Sequence, residues 1–470
     1  MHKPFKTLVF LTIILSIFFV ISILPFNKIK VNNIFEIKIP KFSFYINQPK
    51  PNIKAVNIIK NIENTNKPSI NIDTLEKKIK DTLYIIDTPI EFAESLENFF
   101  KALNNKTYIH VLHYGDSQIE GDRITQYLRT NFQSIFGGKG EGIILPFKIN
   151  NIKQAVDVEN KGNWIKYNIW KEKNKNNKNL YGPLLQYVRY APDFDESFPN
   201  DSIIYEATIT LNKNTNIIAN QLHIIYGNLK KPVLVQYYID NEFVTMNTLK
   251  ATQVTTISSL KINKPAKQIV IEFTGKDSPD IYAINLDAEK GIYFDNIPIR
   301  GNSGTDFTKI SFSQLSSLFK ILNVSLIIWQ FGINVVPSNI NDYTFYENLV
   351  YNQLEFLKKC APESSILVIG VSDMTMNTDS GMYSYPSVEK IRNAQRNAAR
   401  KAGCAFWDTY EAMGGYNSMK EWVKAGLANT DYTHFTYTGA QHIAKLLFKA
   451  IYNEYINYNK KIKSIELTQK

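Results

Sequence analysis

The 470-residue chain exceeds the usual size of one domain and carries a formal net charge of +11, from 54 Lys+Arg against 43 Asp+Glu. That charge is spread along the sequence without an Arg-rich face or a zinc-finger or RNA-binding signature, which argues against a nucleic-acid partner. A hydrophobic content of 44%, with 27 Tyr and 28 Phe, excludes a disordered protein and leaves two folded units with tails as the expectation.

Residues 7–26, TLVFLTIILSIFFVISILPF, hold no formal charge. As a helix rising about 1.5 Å per residue they reach about 30 Å, enough to cross a bilayer core. Lys3 and Lys6 form a basic n-region, so a cleaved signal peptide is the rival reading. The apolar run is long for an h-region, however, and no small-x-small site follows it. An uncleaved single-pass anchor over 1–27 is therefore the expectation. Lys28 and Lys30 just beyond it weaken the charge bias that would orient it. From 28 to 87 the chain is rich in Lys, Asn and Pro and lacks sustained periodicity, so it reads as a spacer. Thr88, Pro89 and Glu91 then give an N-cap, an N1 proline and a capping-box acid for a helix over 90–103.

A strand over 108–113 and a helix over 122–136 come next. Between about 140 and 290 the pattern changes to short alternating runs, SIIYEATITL, QLHIIYG, PVLVQYYID and QIVIEFTG, parted by turn residues. These predict an inserted all-β sandwich over 146–290. Strand and helix then alternate again: GIYFDNIPIRGNSG, a helix to Leu322, SLIIWQFGIN, a helix over 343–360, SSILVIGVSD, a helix over 387–402, CAFWDTY and a helix over 436–455. Five strands alternating with helices predict an α/β fold with a doubly wound, five-stranded parallel sheet, in two parts over 88–145 and 291–458.

In such a sheet ligands bind beyond the carboxyl ends of the strands, where Gly115 to Ser117, Gly301 to Gly304, Gly332 to Asn334 and Ser372 all fall. A serine hydroxyl needs a base to become a nucleophile, and a histidine base needs an acid to hold its tautomer. Asp431 precedes His434 by three residues in NTDYTHFTYTGAQH, close enough for the carboxylate to fold back under the imidazole. Asn334, in QFGINVV, ends an apolar strand and can aim its amide at developing oxyanion charge.

With these residues the chain resembles the SGNH or GDSL hydrolases, whose sheet is flavodoxin-like. The marks are Gly115-Asp116-Ser117, a second-block glycine in GNSGTDF assigned to Gly304 with Gly301 as competitor, Asn334, and Asp431-x-x-His434. The resemblance covers about 105–145 and 290–456. It implies Ser117 as nucleophile, His434 as general base and Asp431 as its orienting partner. The oxyanion hole would come from the amides of Ser117 and Gly304 and the side chain of Asn334. Asp116 braces the nucleophile turn, and Val335 departs from the aspartate often found after the asparagine.

The insert between Ser117 and Gly304 makes the chain closest in layout to Gram-negative peptidoglycan O-acetylesterases that carry a carbohydrate-binding-like β-domain. This implies an esterase acting on an O-acetylated cell-envelope glycan, with its body in the periplasm and its helix in the inner membrane, or else secreted. A transferase fed by a membrane-bound acyl-transfer partner and a glycan-binding scaffold are the alternatives. Trp164, Tyr167 and Trp170 are candidates for holding glycan, with core packing as the rival reading. No metal or cofactor is expected, because six histidines and two cysteines offer no ligand cluster. Cys360 and Cys404 fit either a disulfide or two buried thiols. Met374 to Tyr385 is a polar loop placed to shape acceptor access, or an ordinary connection.

Overall fold

The structure, a computed structural model, describes residues 3–23, 28–30, 36–38, 50–63, 86–87, 95–105, 108–148, 155–170, 179–193, 203–379 and 381–468. Its centre is a parallel sheet of five strands. Tyr108–Gly115 is flanked by Gly291–Pro298 on one side and Val324–Gln330 on the other, with Ser365–Ile369 and Ala405–Trp407 beyond the latter. In chain order the strands therefore lie 2-1-3-4-5. The direction of winding reverses between the first and third strands, and the crevice at that reversal is where doubly wound sheets place their ligands.

These strands read as near-continuous apolar runs because helices cover both faces of the sheet. Ser387–Lys401 turns Val388, Ile391, Ala394 and Ala398 inward, and Tyr437–Thr468 does the same with Ala440, Ile443, Leu447 and Ile451. The final helix outruns the expected end near residue 455. Full burial stops at Tyr452, but Tyr455, Ile456 and Tyr458 still pack on the core, with the rings of Tyr455 and Tyr458 5.8 and 5.5 Å from Phe100.

Between the first and second strands lie two antiparallel sheets. One orders Glu242–Leu249, Val233–Ile239, Ala266–Gly275, Tyr205–Ile217 and Asp157–Lys161. The other orders Thr256–Lys261, Gln221–Gly227, Asp280–Asp287, Gln186–Arg189 and Ile165–Asn168, with Gly142–Ile144 added to Asp280–Asp287. Alternation decides which face packs: Val233, Val235, Tyr237 and Ile239 are buried, and Leu234, Gln236 and Tyr238 between them are not. Phe273 of one sheet meets Tyr190 and Trp164, which flank strands of the other, at ring distances of 5.6 and 6.1 Å. Asp240 and Asn241 both take positive φ in the two-residue turn between Val233–Ile239 and Glu242–Leu249, the conformation a tight hairpin requires.

The amino-terminal expectations change. A helix forms over Lys3–Ile23. Among the described residues no helix is long and apolar enough to cross a membrane, so the single-pass anchor over 1–27 and the inner-membrane contact it implied are not supported.

The stretch read as a spacer is in part folded. Lys28–Lys30 pairs with Glu36–Lys38, and the helix Ile53–Glu63 buries Ala55, Ile58 and Ile59 against the body. Asn52 donates to the carbonyls of Gly414 and Tyr416 at 2.9 and 2.7 Å, and Asp87 exchanges two backbone hydrogen bonds with Phe406 at the edge of the parallel sheet. The caps expected at Thr88, Pro89 and Glu91 lie outside the described residues, and the helix there is described from Glu97 to Asn105.

Candidate active site

The first strand ends at Gly115. A Cβ there would come within 2.9 Å of the Gln330 carbonyl oxygen and 3.0 Å of Ile119, so only glycine lets the chain turn this tightly against the third strand. Asp116 then caps a 3₁₀ turn over Ser117–Asp122, its Oδ1 accepting from the Gln118 N–H at 3.0 Å. Burial pushes the Asp116 carboxyl up to about 7, against the pull of the Gln118 and Ile333 N–H groups. This is the bracing position expected for it. Ser117 begins the turn beyond the strand end, nearly buried at 7% exposure.

The histidine comes from the loop before the last helix. Asp431 Oδ1 accepts the N–H groups of Thr433 and His434 at 2.9 and 3.0 Å, while Oδ2 lies 2.8 Å from His434 Nδ1. His434 Nε2 lies 2.8 Å from Ser117 Oγ. A carboxylate only accepts, so Nδ1 carries the proton and Nε2 is left to accept from the serine hydroxyl. Burial works to raise the Asp431 pKa, but the N–H of His434, its ring and the Thr433 N–H together hold the carboxyl below its ordinary value.

Asn334 and Gly304 are joined through a residue the motif reading passed over. Asn302 accepts the Asn334 amide on its backbone carbonyl at 2.9 Å and the Gly304 N–H on its side-chain oxygen at 2.6 Å. Gly304 sits at φ +80, and a Cβ there would collide with Trp329 at 2.3 Å. Its competitor Gly301 meets nothing within 4 Å, so packing distinguishes the two. The single Gly304 N–H points at Asn302. The backbone ties the blocks together: Ile299 N–H donates to the Gly115 carbonyl at 2.7 Å and Asp116 N–H to the Gln330 carbonyl at 3.2 Å.

The insert aromatics lie on or beside the strand Ile165–Asn168. Trp164 meets Tyr190 edge-on at 5.3 Å and Tyr167 stacks on Tyr187 at 4.8 Å, both packed against the insert core, while Trp170 is exposed. Residues 374–385 include a hairpin, Thr375–Thr378 with Gly381–Ser384, and the Thr375 N–H donates to the Tyr432 carbonyl inside the histidine loop at 3.1 Å. Cys360 and Cys404 are free and buried, and burial pushes both thiols up to about 12, which keeps them un-ionised at neutral pH.

Fold and site together define a class: a 2-1-3-4-5 parallel sheet with a Ser-His-Asp hydrogen-bond chain at its switch point and two antiparallel sheets between its first and second strands. No family model matches the chain, and no curated protein matches it in sequence. Among solved structures, a peptidoglycan O-acetylesterase is similar at 20% identity and a TM-score of 0.57, over 78% of this chain and 96% of that one. A family two carbohydrate esterase from Clostridium thermocellum is similar over 56% of this chain and 96% of that one, at 11% identity and a TM-score of 0.26. An acetyl xylan esterase is similar over 34% of this chain and 81% of that one, at 16% identity and a TM-score of 0.27. The first of these likenesses covers most of the chain, and it is a likeness of fold.

Proposed function

We propose that this chain is an SGNH/GDSL-type serine esterase that removes O-acetyl groups from a cell-envelope glycan, with peptidoglycan as the substrate. The observation that carries this reading is the chain of two 2.8 Å contacts from Ser117 Oγ to His434 Nε2 and from His434 Nδ1 to Asp431 Oδ2. The shared fold with a peptidoglycan O-acetylesterase supports the substrate class. The exposed apolar helix over Lys3–Ile23 supports export of the body to the envelope. A membrane-bound acyl-transfer partner has no support, since it rested on a membrane-spanning helix.

In this mechanism Ser117 Oγ attacks the acetyl carbonyl carbon as His434 Nε2 takes the hydroxyl proton. Oxyanion charge falls to the Ser117 N–H and the Asn334 amide, with the Gly304 N–H joining once it leaves Asn302. Collapse breaks the ester bond, and the sugar oxygen departs with the proton from His434. Water, giving its proton to His434, then attacks the acetyl carbonyl; the bond to Ser117 Oγ breaks, and the serine oxygen takes the proton back from His434 as acetate leaves. Asp431 holds the ring and balances its charge in both halves.

The test is acetate release from O-acetylated peptidoglycan by the full chain and by Ser117→Ala. Turnover by the parent and a loss on the order of 10⁶-fold in the variant are expected. Undiminished release by Ser117→Ala, or acetyl passed to an added sugar with no free acetate, overturns the esterase reading.

A further inference from the structure

Any chemistry at Ser117 needs its hydroxyl held at His434 Nε2, yet the two residues stand 317 positions apart, on separate loops. The Asp431 contact fixes the ring only within its own loop, so something else must fix that loop to the nucleophile turn. Gln118, the residue after the serine, is placed to do so. It is buried, at 3% exposure, and its own N–H is held by Asp116 Oδ1. Its side-chain amide reaches into the histidine loop: Nε2 donates to the Thr433 carbonyl at 2.7 Å, and Oε1 accepts the Phe435 N–H at 3.3 Å. Thr433 and Phe435 are the two neighbours of His434. The second Nε2 hydrogen goes to Ser372 Oγ at 3.2 Å, at the end of the fourth strand.

A terminal amide offers a donor and an acceptor side by side, which is what gripping a peptide carbonyl and a peptide N–H on either side of one residue requires. Arg123 runs a second bridge between the same segments, donating from Nη2 to the Ser117 carbonyl at 2.7 Å and from Nη1 to the Phe435 carbonyl at 2.6 Å. Resting on the esterase reading, we infer that Gln118 is a positioning residue that sets the Ser117–His434 contact by holding the backbone on both sides of the base. It touches no reacting atom.

Displacement of a reacting group by about 1 Å costs on the order of 10²-fold in rate. Gln118→Met keeps the length of the side chain and removes both polar atoms. It is expected to lower kcat on acetyl esters by about 10²-fold and to leave KM within about threefold, since Gln118 is buried behind the reacting atoms. Labelling of Ser117 by a fluorophosphonate, which needs an activated serine and no glycan site, falls in parallel. In a His434→Ala background, where no base remains to be positioned, Gln118→Met adds no further loss. A residue serving only the stability of the fold would not show that disappearance.

Gln118→Glu, equal in volume, takes the place of Gln118→Met if the latter does not fold, and is held to the same criteria. If Ser117→Ala is inactive while the Gln118 variants keep kcat within threefold, or lose the same factor with and without His434, the positioning role is overturned and the esterase reading stands. If Ser117→Ala keeps full turnover, the esterase reading falls, and the positioning role falls with it.

Discussion

Asn334 shows how closely the site is arranged around single hydrogen atoms. Its amide nitrogen carries two hydrogens, and the Asn302 carbonyl takes one of them at 2.9 Å, which fixes the plane of the amide and, in the proposed mechanism, leaves the other for the oxyanion. Asn334→Ala is expected to lower kcat by about 10² to 10³-fold with little change in KM, as steady-state hydrolysis of an acetyl ester will show. An unchanged kcat removes Asn334 from the oxyanion hole. The residues that meet in the Ser117–His434–Asp431 contacts are singled out by the sequence because each lies in a short, recognisable run. Asn302, Gln118 and Arg123 are not legible, because each acts largely on backbone atoms, near and far along the chain, and backbone atoms leave no residue pattern. Trp164 and Tyr167 show the converse. Their spacing fits a glycan strip or core packing alike, and their rings, partly buried, pack against Tyr190 and Tyr187 at the insert core.

At the level of elements, the strands of the parallel sheet and the starts of its helices were readable to within a few residues, because each has an apolar period set by the sheet, whereas the last helix runs to Thr468, well past its expected end. The hairpin at 375–384 was not, because its polar strands bury little and owe their form to the loops beside them. The helix Ile53–Glu63 carries its apolar face in Ala55, Ile58 and Ile59, yet the Lys and Asn around it hide the period. Gly414 marks its seat: a Cβ there would stand 2.6 Å from the Ala55 Cα. The helix packs on Ser418–Lys424 and shares a core with Met413, Met419 and Trp422. A chain lacking residues 1–64 is therefore expected to melt below one lacking residues 1–49, by on the order of 5 °C, as differential scanning calorimetry will measure. Equal melting temperatures would mean the helix contributes nothing to the folded body. Both deletions should leave the Asp87 bridge to Phe406 intact, whereas cutting after it exposes the edge of the parallel sheet.

The whole molecule is joined where the antiparallel sheets meet the parallel one, through largely buried polar groups. His110 of the first strand places Nδ1 2.6 Å from Asp295 Oδ2 and Nε2 2.8 Å from the Tyr108 hydroxyl, and that hydroxyl donates to Asp287 Oδ2 at 2.6 Å. With its one hydrogen on Asp287, Tyr108 can only accept from Nε2. Both ring nitrogens therefore donate, and His110 is an imidazolium between two carboxylates. Burial opposes that charge, but Asp295 and Asp287 outweigh it and push the His110 pKa up to about 9, while His110, His223 and Tyr108 draw Asp287 down to about 2 despite its own burial. Tyr108 is held above its ordinary value and Tyr293, stacked on the ring, is pushed up to about 12, so neither ionises at neutral pH. Polar residues scattered in apolar strands gave no sign of this, since each becomes informative only when the sheets meet. A histidine whose pKa is raised on folding contributes stability that is complete below the unfolded value near 6.5 and is lost as the pH rises through about 9. Unfolding free energy from urea titrations is expected to fall across that window by at most about 3 kcal/mol, and His110→Gln, unable to carry the charge, should flatten the slope. The same slope in His110→Gln would place the titration elsewhere, and a flat profile in the parent would mean that no buried imidazolium joins the two sheets.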